Sequence, residues 1–141
     1  MVRILGVDYG EKRIGLAISD ELEMVAMPVG VIHRTNEKED IAKIRELILE
    51  KKVSLIVFGL PINMDGTPGK LGAATKAFAA KLTEAVNLPV DYYDERLTTL
   101  EAERMLTDEA DISRAKRKGV KDKLAASLIL QSYMEIRKAN S

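Results

Sequence analysis

The chain of 141 residues has no cysteine, no tryptophan and a single histidine, and its aromatic content is four tyrosines and two phenylalanines. Absence of cysteine excludes disulfides, thiolate nucleophiles and sulfur-based zinc clusters, and one histidine cannot build a multi-histidine metal site. Acid, base or metal chemistry therefore falls to carboxylates. Net charge is also lacking, since 22 basic residues balance 22 acidic ones, so attraction to a polyanion must come from local clustering. No stretch approaches the roughly 20 apolar residues that span a bilayer, and the N-terminus enters a strand-like pattern without a signal-peptide plan. A cytoplasmic protein with no membrane partner is expected.

What is present suits one ordinary domain over residues 1–141, with no internal repeat, low-complexity tract or linker. Residues 3–8 and 13–19 are apolar-rich runs around Tyr9-Gly10-Glu11-Lys12, which predicts an antiparallel hairpin, with a third strand across Val25 to His33. Asn36 and Glu39 have reciprocal-cap spacing, and Ile41, Ile44, Leu47 and Ile48 recur at helical intervals to about Lys52. Val53 to Phe58 is a continuous apolar run, as in a parallel strand covered on both faces, and Gly59 is expected to end it. A turn-rich loop over 59–69 precedes a helix with Leu71, Ala74, Phe78, Leu82 and Ala85 along its buried stripe. Leu88 to Tyr93 supplies another strand, Thr98 and Glu101 cap a helix to about Leu106, and Asp122 begins a last helix carrying Ala125, Ala126, Ile129 and Ile136. The order β-β-β-α-β-α-β-α-α predicts an α/β three-layer fold in which a hairpin region joins parallel strands.

Charged residues at strand ends carry the chemistry. The run Ile4-Leu5-Gly6-Val7 delivers Asp8 to a chain reversal, where a carboxylate is either bonded by the turn or binds a cation. Glu95 follows another strand, and Asp122 opens the last helix. Should these elements meet, Asp8, Glu95 and Asp122 converge on a hard-cation site suited to Mg²⁺ or Mn²⁺, and such sites hydrolyse phosphodiesters. Taken singly, Asp8 could cap its turn, Glu95 could pair with Arg96 or Arg13, and Asp122 could favour its helix N-terminus. Asp94 is expected to support or cap. Gly6 either opens space beside Asp8 or lies under a crossing helix. The segment 114–123 has six basic residues in ten and no aromatic. Read as a mobile loop, it places Arg114, Lys116, Arg117, Lys118 and Lys121 as phosphate contacts that ignore base identity. Alternatively it is a solvated lid, or it neutralises the acidic site. Arg13 and Arg96 are candidates for bidentate phosphate contacts, or for bracing a neighbouring carboxylate. Asp65-Gly66-Thr67 reads as an ordinary turn, His33 as structural, and the tyrosines as core or rim.

Four blocks resemble the YqgF (RuvX-like) family of bacterial RNase H-like proteins: residues 8–15 (DYGEKRIG), 59–66 (GLPINMDG), 94–99 (DERLTT) and 122–126 (DKLAA). They span nearly the whole chain in the family's order. The resemblance implies an RNase H-like three-layer fold with a mixed five-stranded sheet and helices on both faces. Family members are regarded as pre-16S rRNA nucleases acting in 5′-end maturation and related to Holliday-junction resolvases. Carried over by motif, Asp8, Glu95 and Asp122 would be catalytic metal ligands for Mg²⁺ or Mn²⁺. Partners implied are structured RNA (pre-16S rRNA) or branched DNA, with ribosome association, for a monomer or homodimer. Alternatives of other classes are a nucleic-acid-binding module with a silent site, and a phosphotransferase, since a strand ending in Asp-x-Gly also resembles the phosphate-binding turn of actin-like kinases.

Overall fold

Strand β1 (Arg3–Tyr9) lies at the centre of the sheet because both of its faces are apolar: Ile4, Leu5 and Val7 are fully buried. The computed structural model describes residues 3–97 and 114–139, with side chains for 3–96 and 125–139. Along the chain β1 is followed by β2 (Arg13–Ser19), β3 (Ala26–His33), α1 (Glu37–Lys51), β4 (Val53–Leu60), α2 (Lys70–Val86) and β5 (Val90–Asp94). A 3₁₀ turn (Glu95–Leu97) and a long helix, α3 (Arg114–Ala139), complete the described elements. Sheet order is β3-β2-β1-β4-β5, antiparallel from β3 to β1 and parallel from β1 to β5. This is the expected mixed five-stranded arrangement.

Alternation along the strands divides the core in two. Leu5, Val7 and Tyr9 join Ile14, Leu16, Ile18, Ile56 and Phe58 beneath α1 and α2, which contribute Ile44, Ile48, Phe78 and Leu82. On the other face Ile4, Ala17, Val57 and Tyr93 pack against Ala126, Ile129, Leu130 and Met134 of α3. Helices therefore cover both faces, and no helix among the described residues is long and apolar enough to cross a membrane.

Local chemistry sets the helix ends. The Asn36 side chain accepts from Glu39 N at 2.9 Å, while Glu39 accepts from Thr35 Oγ1 at 2.9 Å instead of returning to Asn36. The expected buried stripe of α2 is rotated: Gly72, Thr75, Phe78, Ala79 and Leu82 are inside, while Ala74 and Ala85 are exposed. Thr75 tolerates burial because its hydroxyl donates to Leu71 O at 2.8 Å. Helix α3 begins at Arg114, well before Asp122, so the basic segment expected as a loop is helical. Arginine, lysine and alanine are good helix formers even without an apolar face. The helix predicted from Thr98 to Leu106 lies outside the described residues.

Gly6 lies under the crossing helix. A Cβ there would stand 2.9 Å from Leu130 Cβ and 3.1 Å from Ala126 O. Neither atom can move without α3, so Gly6→Ala should destabilise by about 2–3 kcal/mol, the upper part of the range for overpacking. Urea unfolding checks this; an unchanged midpoint would mean that α3 rides higher over β1.

Candidate functional site

Parallel pairing brings three chain segments to one end of the sheet. Val7 pairs with Phe58 and Phe58 with Tyr92, and Gly59 pairs with Tyr93. One step beyond Val7, Asp8 is level with Gly59, and Glu95 follows the last residue of β5. Asp8 pairs across β2 with Gly15 and shares the α3 face of the sheet with Ile4 and Gly6. Arg13 is on that face too, because Ile14, Leu16 and Ile18 point into the opposite core.

Asp8 and Glu95 come within hydrogen-bonding reach of each other, and Glu95 is held protonated far above the ordinary carboxyl range. Burial, the hydrogen bond to Asp8 and the charges of Asp8 and Asp94 push it up to about 9. Two carboxyls on a half-buried floor, sharing a proton where a cation would supply positive charge, form a hard-oxygen donor set that fits Mg²⁺ or Mn²⁺. Among the described residues no third histidine, cysteine or carboxylate joins them in a metal-sized cluster. Asp122 is on α3, one turn before Ala126, and its side chain lies outside the described residues, as do those of Arg114, Lys116, Arg117, Lys118 and Lys121.

Gly59 is not a strand terminator but lies inside β4, and it makes room for Glu95: a Cβ there would stand 2.7 Å from Glu95 Oε1. An isolated glycine in an otherwise β-branched run was the available signal, since such glycines mark close approach of another group.

Asp94 has the supporting role expected of it. Its carboxylate accepts from Arg96 N at 3.0 Å and from both Nε and Nη2 of Arg96, the latter at 2.7 Å, which holds Asp94 below the usual carboxylate range. Arg96 also donates to Asn63 O at 3.4 Å, tying the end of β5 to the 61–69 loop. That loop is an ordinary turn: Asp65 Oδ1 accepts from Thr67 Oγ1 at 2.6 Å, and Asn63 N donates to Thr67 O at 2.8 Å. The tyrosines lie in the core or at the rim, with Tyr9 against Phe78 at 4.7 Å and Tyr133 Oη donating to Asp91 at 2.7 Å. A network at the β3–α1 junction, Arg34 with the buried Asp40, was not anticipated.

The family model described as RuvX, Holliday junction resolvase, matches residues 2–136. A protein of Endomicrobium trichonymphae named "Putative pre-16S rRNA nuclease" is 49% identical over 97% of this chain and 98% of its own. One of the same name from Thermoanaerobacter pseudethanolicus is 49% identical over 97% and 99%. In fold the chain is similar to RuvC of T. thermophilus in complex with a Holliday junction substrate, at TM-score 0.63 and 15% identity over 100% of this chain and 98% of that one. The fowlpox virus resolvase with Holliday junction DNA gives TM-score 0.55 and 13% identity over 96% and 99%. The RNase H-like resolvase fold is thus shared where sequence has diverged, and with a family model covering almost its whole length the chain belongs to the RuvX (YqgF) family.

Proposed function

We propose that this chain, a nuclease by family, is a divalent-metal-dependent endonuclease that hydrolyses phosphodiester bonds at the 5′ end of pre-16S rRNA in the cytoplasm. The observation that carries the reading is the convergence of Asp8 and Glu95 from the ends of β1 and β5 across Gly59 of the intervening β4. Asp122, one turn before the helix residue that packs on Gly6, completes the ligand set by motif. Mg²⁺ or Mn²⁺ bound there would supply the charge that lets the carboxyls ionise together and the Lewis acidity that phosphodiester hydrolysis needs. Asp8 and Glu95 would hold that ion from the end of the sheet, and the Asp94–Arg96 fork ties together the residues on either side of Glu95. Names of close relatives favour RNA; the resolvase relationship makes branched DNA the competing substrate.

Arg13 and Arg96 at the rim, with Arg114, Lys116, Arg117, Lys118 and Lys121 on the first turns of α3, would hold the backbone of the substrate. Changing Lys116, Arg117 and Lys118 together to alanine should weaken RNA binding at every sequence alike. The slope of log K against log salt should become shallower by about 0.7 for each single-strand phosphate that the variant no longer neutralises. An unchanged slope would assign the segment to solvent.

The test of function incubates the protein with Mn²⁺ or EDTA on end-labelled pre-16S precursor RNA and on a four-way DNA junction. Metal-dependent cleavage confined to RNA is the expected result. Junction cleavage instead would move the activity to recombination, and salt-sensitive binding without cleavage of either would leave a binding module.

A further inference from the structure

The turn that follows Asp8 is held by one residue outside it. Arg34, between β3 and α1, donates from Nη1 to Gly10 O at 3.1 Å and Glu11 O at 3.0 Å, and from its backbone N to Lys12 O at 2.9 Å. Three consecutive carbonyls of the β1–β2 turn are thereby bonded by a single arginine. Its guanidinium lies 4.6 Å over the ring of Tyr9, the residue next to Asp8, on the sheet face opposite the carboxylates.

Behind Arg34 stands Asp40, wholly buried in the first turn of α1. Asp40 Oδ1 accepts from Thr35 N at 3.3 Å, while Oδ2 lies 3.8 Å from Arg34 Nε, beyond hydrogen-bonding distance, and neither of those two atoms has another hydrogen-bond partner. An arginine placed only to neutralise a buried aspartate would fork onto its carboxylate. Here Nη1 bonds the turn instead, and Asp40 supplies the countercharge beside a part-buried guanidinium.

We propose that Arg34, anchored by Asp40 and the Tyr9 ring, is a positioning residue of the active site that fixes the Gly10–Lys12 turn and with it the reach of Asp8 toward Glu95. The inference rests on the reading of Asp8 and Glu95 as the catalytic pair. Each carboxylate then has an arginine at its base: Arg96 forks onto Asp94 beside Glu95, and Arg34 holds the turn that follows Asp8.

The test compares wild type, Arg34→Lys, the double variant Arg34→Met with Asp40→Asn, and Asp8→Asn. The double variant removes both charges, so none is left buried alone. Cleavage of precursor RNA is measured where circular dichroism shows each variant folded, with Mn²⁺ affinity by calorimetry and amide exchange at residues 10–13. For the double variant kcat should fall at least about tenfold with KM within about twofold, because small displacements of reacting groups are costly, and Arg34→Lys should lie between it and wild type. Mn²⁺ affinity should weaken by about 10-fold or more, as for other outer-shell partners. The Gly10 amide, bonded to Arg13 O at 2.9 Å, should exchange faster. A folded double variant with wild-type kcat and Mn²⁺ affinity, alongside an inactive Asp8→Asn, overturns this inference alone. Full activity in Asp8→Asn overturns the reading of the site and this inference with it. Should the double variant not fold, wild-type kcat and affinity in Arg34→Lys overturn the inference equally.

Discussion

Asp8→Asn is expected to lower metal-dependent cleavage by more than about 100-fold, the upper end of what losing even an outer-shell partner costs, and yet to melt higher than wild type in EDTA at alkaline pH. The two effects have one origin. A site that gathers carboxyls for a cation is strained without it, and the strain is recorded in Glu95, which burial and Asp8 hold protonated up to about 9. Removing the charge of Asp8 relieves the metal-free protein and removes a ligand at once. Mn²⁺ should therefore raise the melting temperature of wild type, because it binds only the folded state, and leave that of the variant nearly unchanged. A variant that cleaves normally, or that is stabilised by Mn²⁺ as much as wild type, would refute the assignment of Asp8.

The pH dependence has a definite sign. Glu95 titrates at about 9 when folded and at 4.5 ordinarily, so between those values the folded protein keeps a proton that the unfolded chain has released. Stability contributed by this group is complete below the lower value and falls as pH rises through the window. Asp20, Asp65 and Asp94 are held below the ordinary carboxylate range, Asp20 chiefly by the Val25 and Met24 amides, Asp65 by Thr67 and Asp94 by Arg96. Their contributions are lost only under acid and do not mask the effect. In EDTA, wild type should melt lower at about pH 8.5 than at about pH 6, and Asp8→Asn should show a shallower decline. It will not be flat, because burial, the largest cause, and Asp94 both remain. Parallel declines in the two proteins would refute the coupling of Asp8 to Glu95.

Much of this was legible in the chain because burial on two faces leaves a strong mark. The run Ile4 to Val7 read as a hairpin strand with Asp8 at its end, and the apolar run from Val53 read as a parallel strand covered on both faces, which is β4 paired in parallel with β1. The opening of α1 was readable from Asn36, whose cap is local. What escaped depends on tertiary approach. Gly59 read as a terminator because a lone glycine in an apolar run signals close approach without naming the groups, here Glu95 and Ile129, that close over it. Asp40 reads as one more acidic residue in a first turn, and its burial follows only from where Arg34 and Thr35 cross. The start of α3 was missed because charged residues with high helix propensity carry no apolar period.

Gly59→Ala should divide its damage in the opposite way to Gly6→Ala, although both glycines face α3. At position 59 the new methyl would stand 2.7 Å from Glu95 Oε1 and 3.0 Å from Glu95 Cγ, and would press on Ile129 Cδ1. Two of these three atoms are the far ends of side chains that can turn aside. Neither glycine has a positive φ, so alanine also gains from a less disordered unfolded chain. Loss of stability should therefore stay near about 1 kcal/mol, the low end for overpacking. Function has no such escape, because the group that must yield is the carboxyl itself. A displacement of about 1 Å at a reacting centre can cost 10²-fold, and a loss of that order in kcat is expected. Urea unfolding and single-turnover cleavage of the two variants, run side by side, separate the cases. A fully active Gly59→Ala would mean that Glu95 works from elsewhere than the space this glycine leaves open, and the carboxylate pair would then have to be assembled differently when substrate is bound.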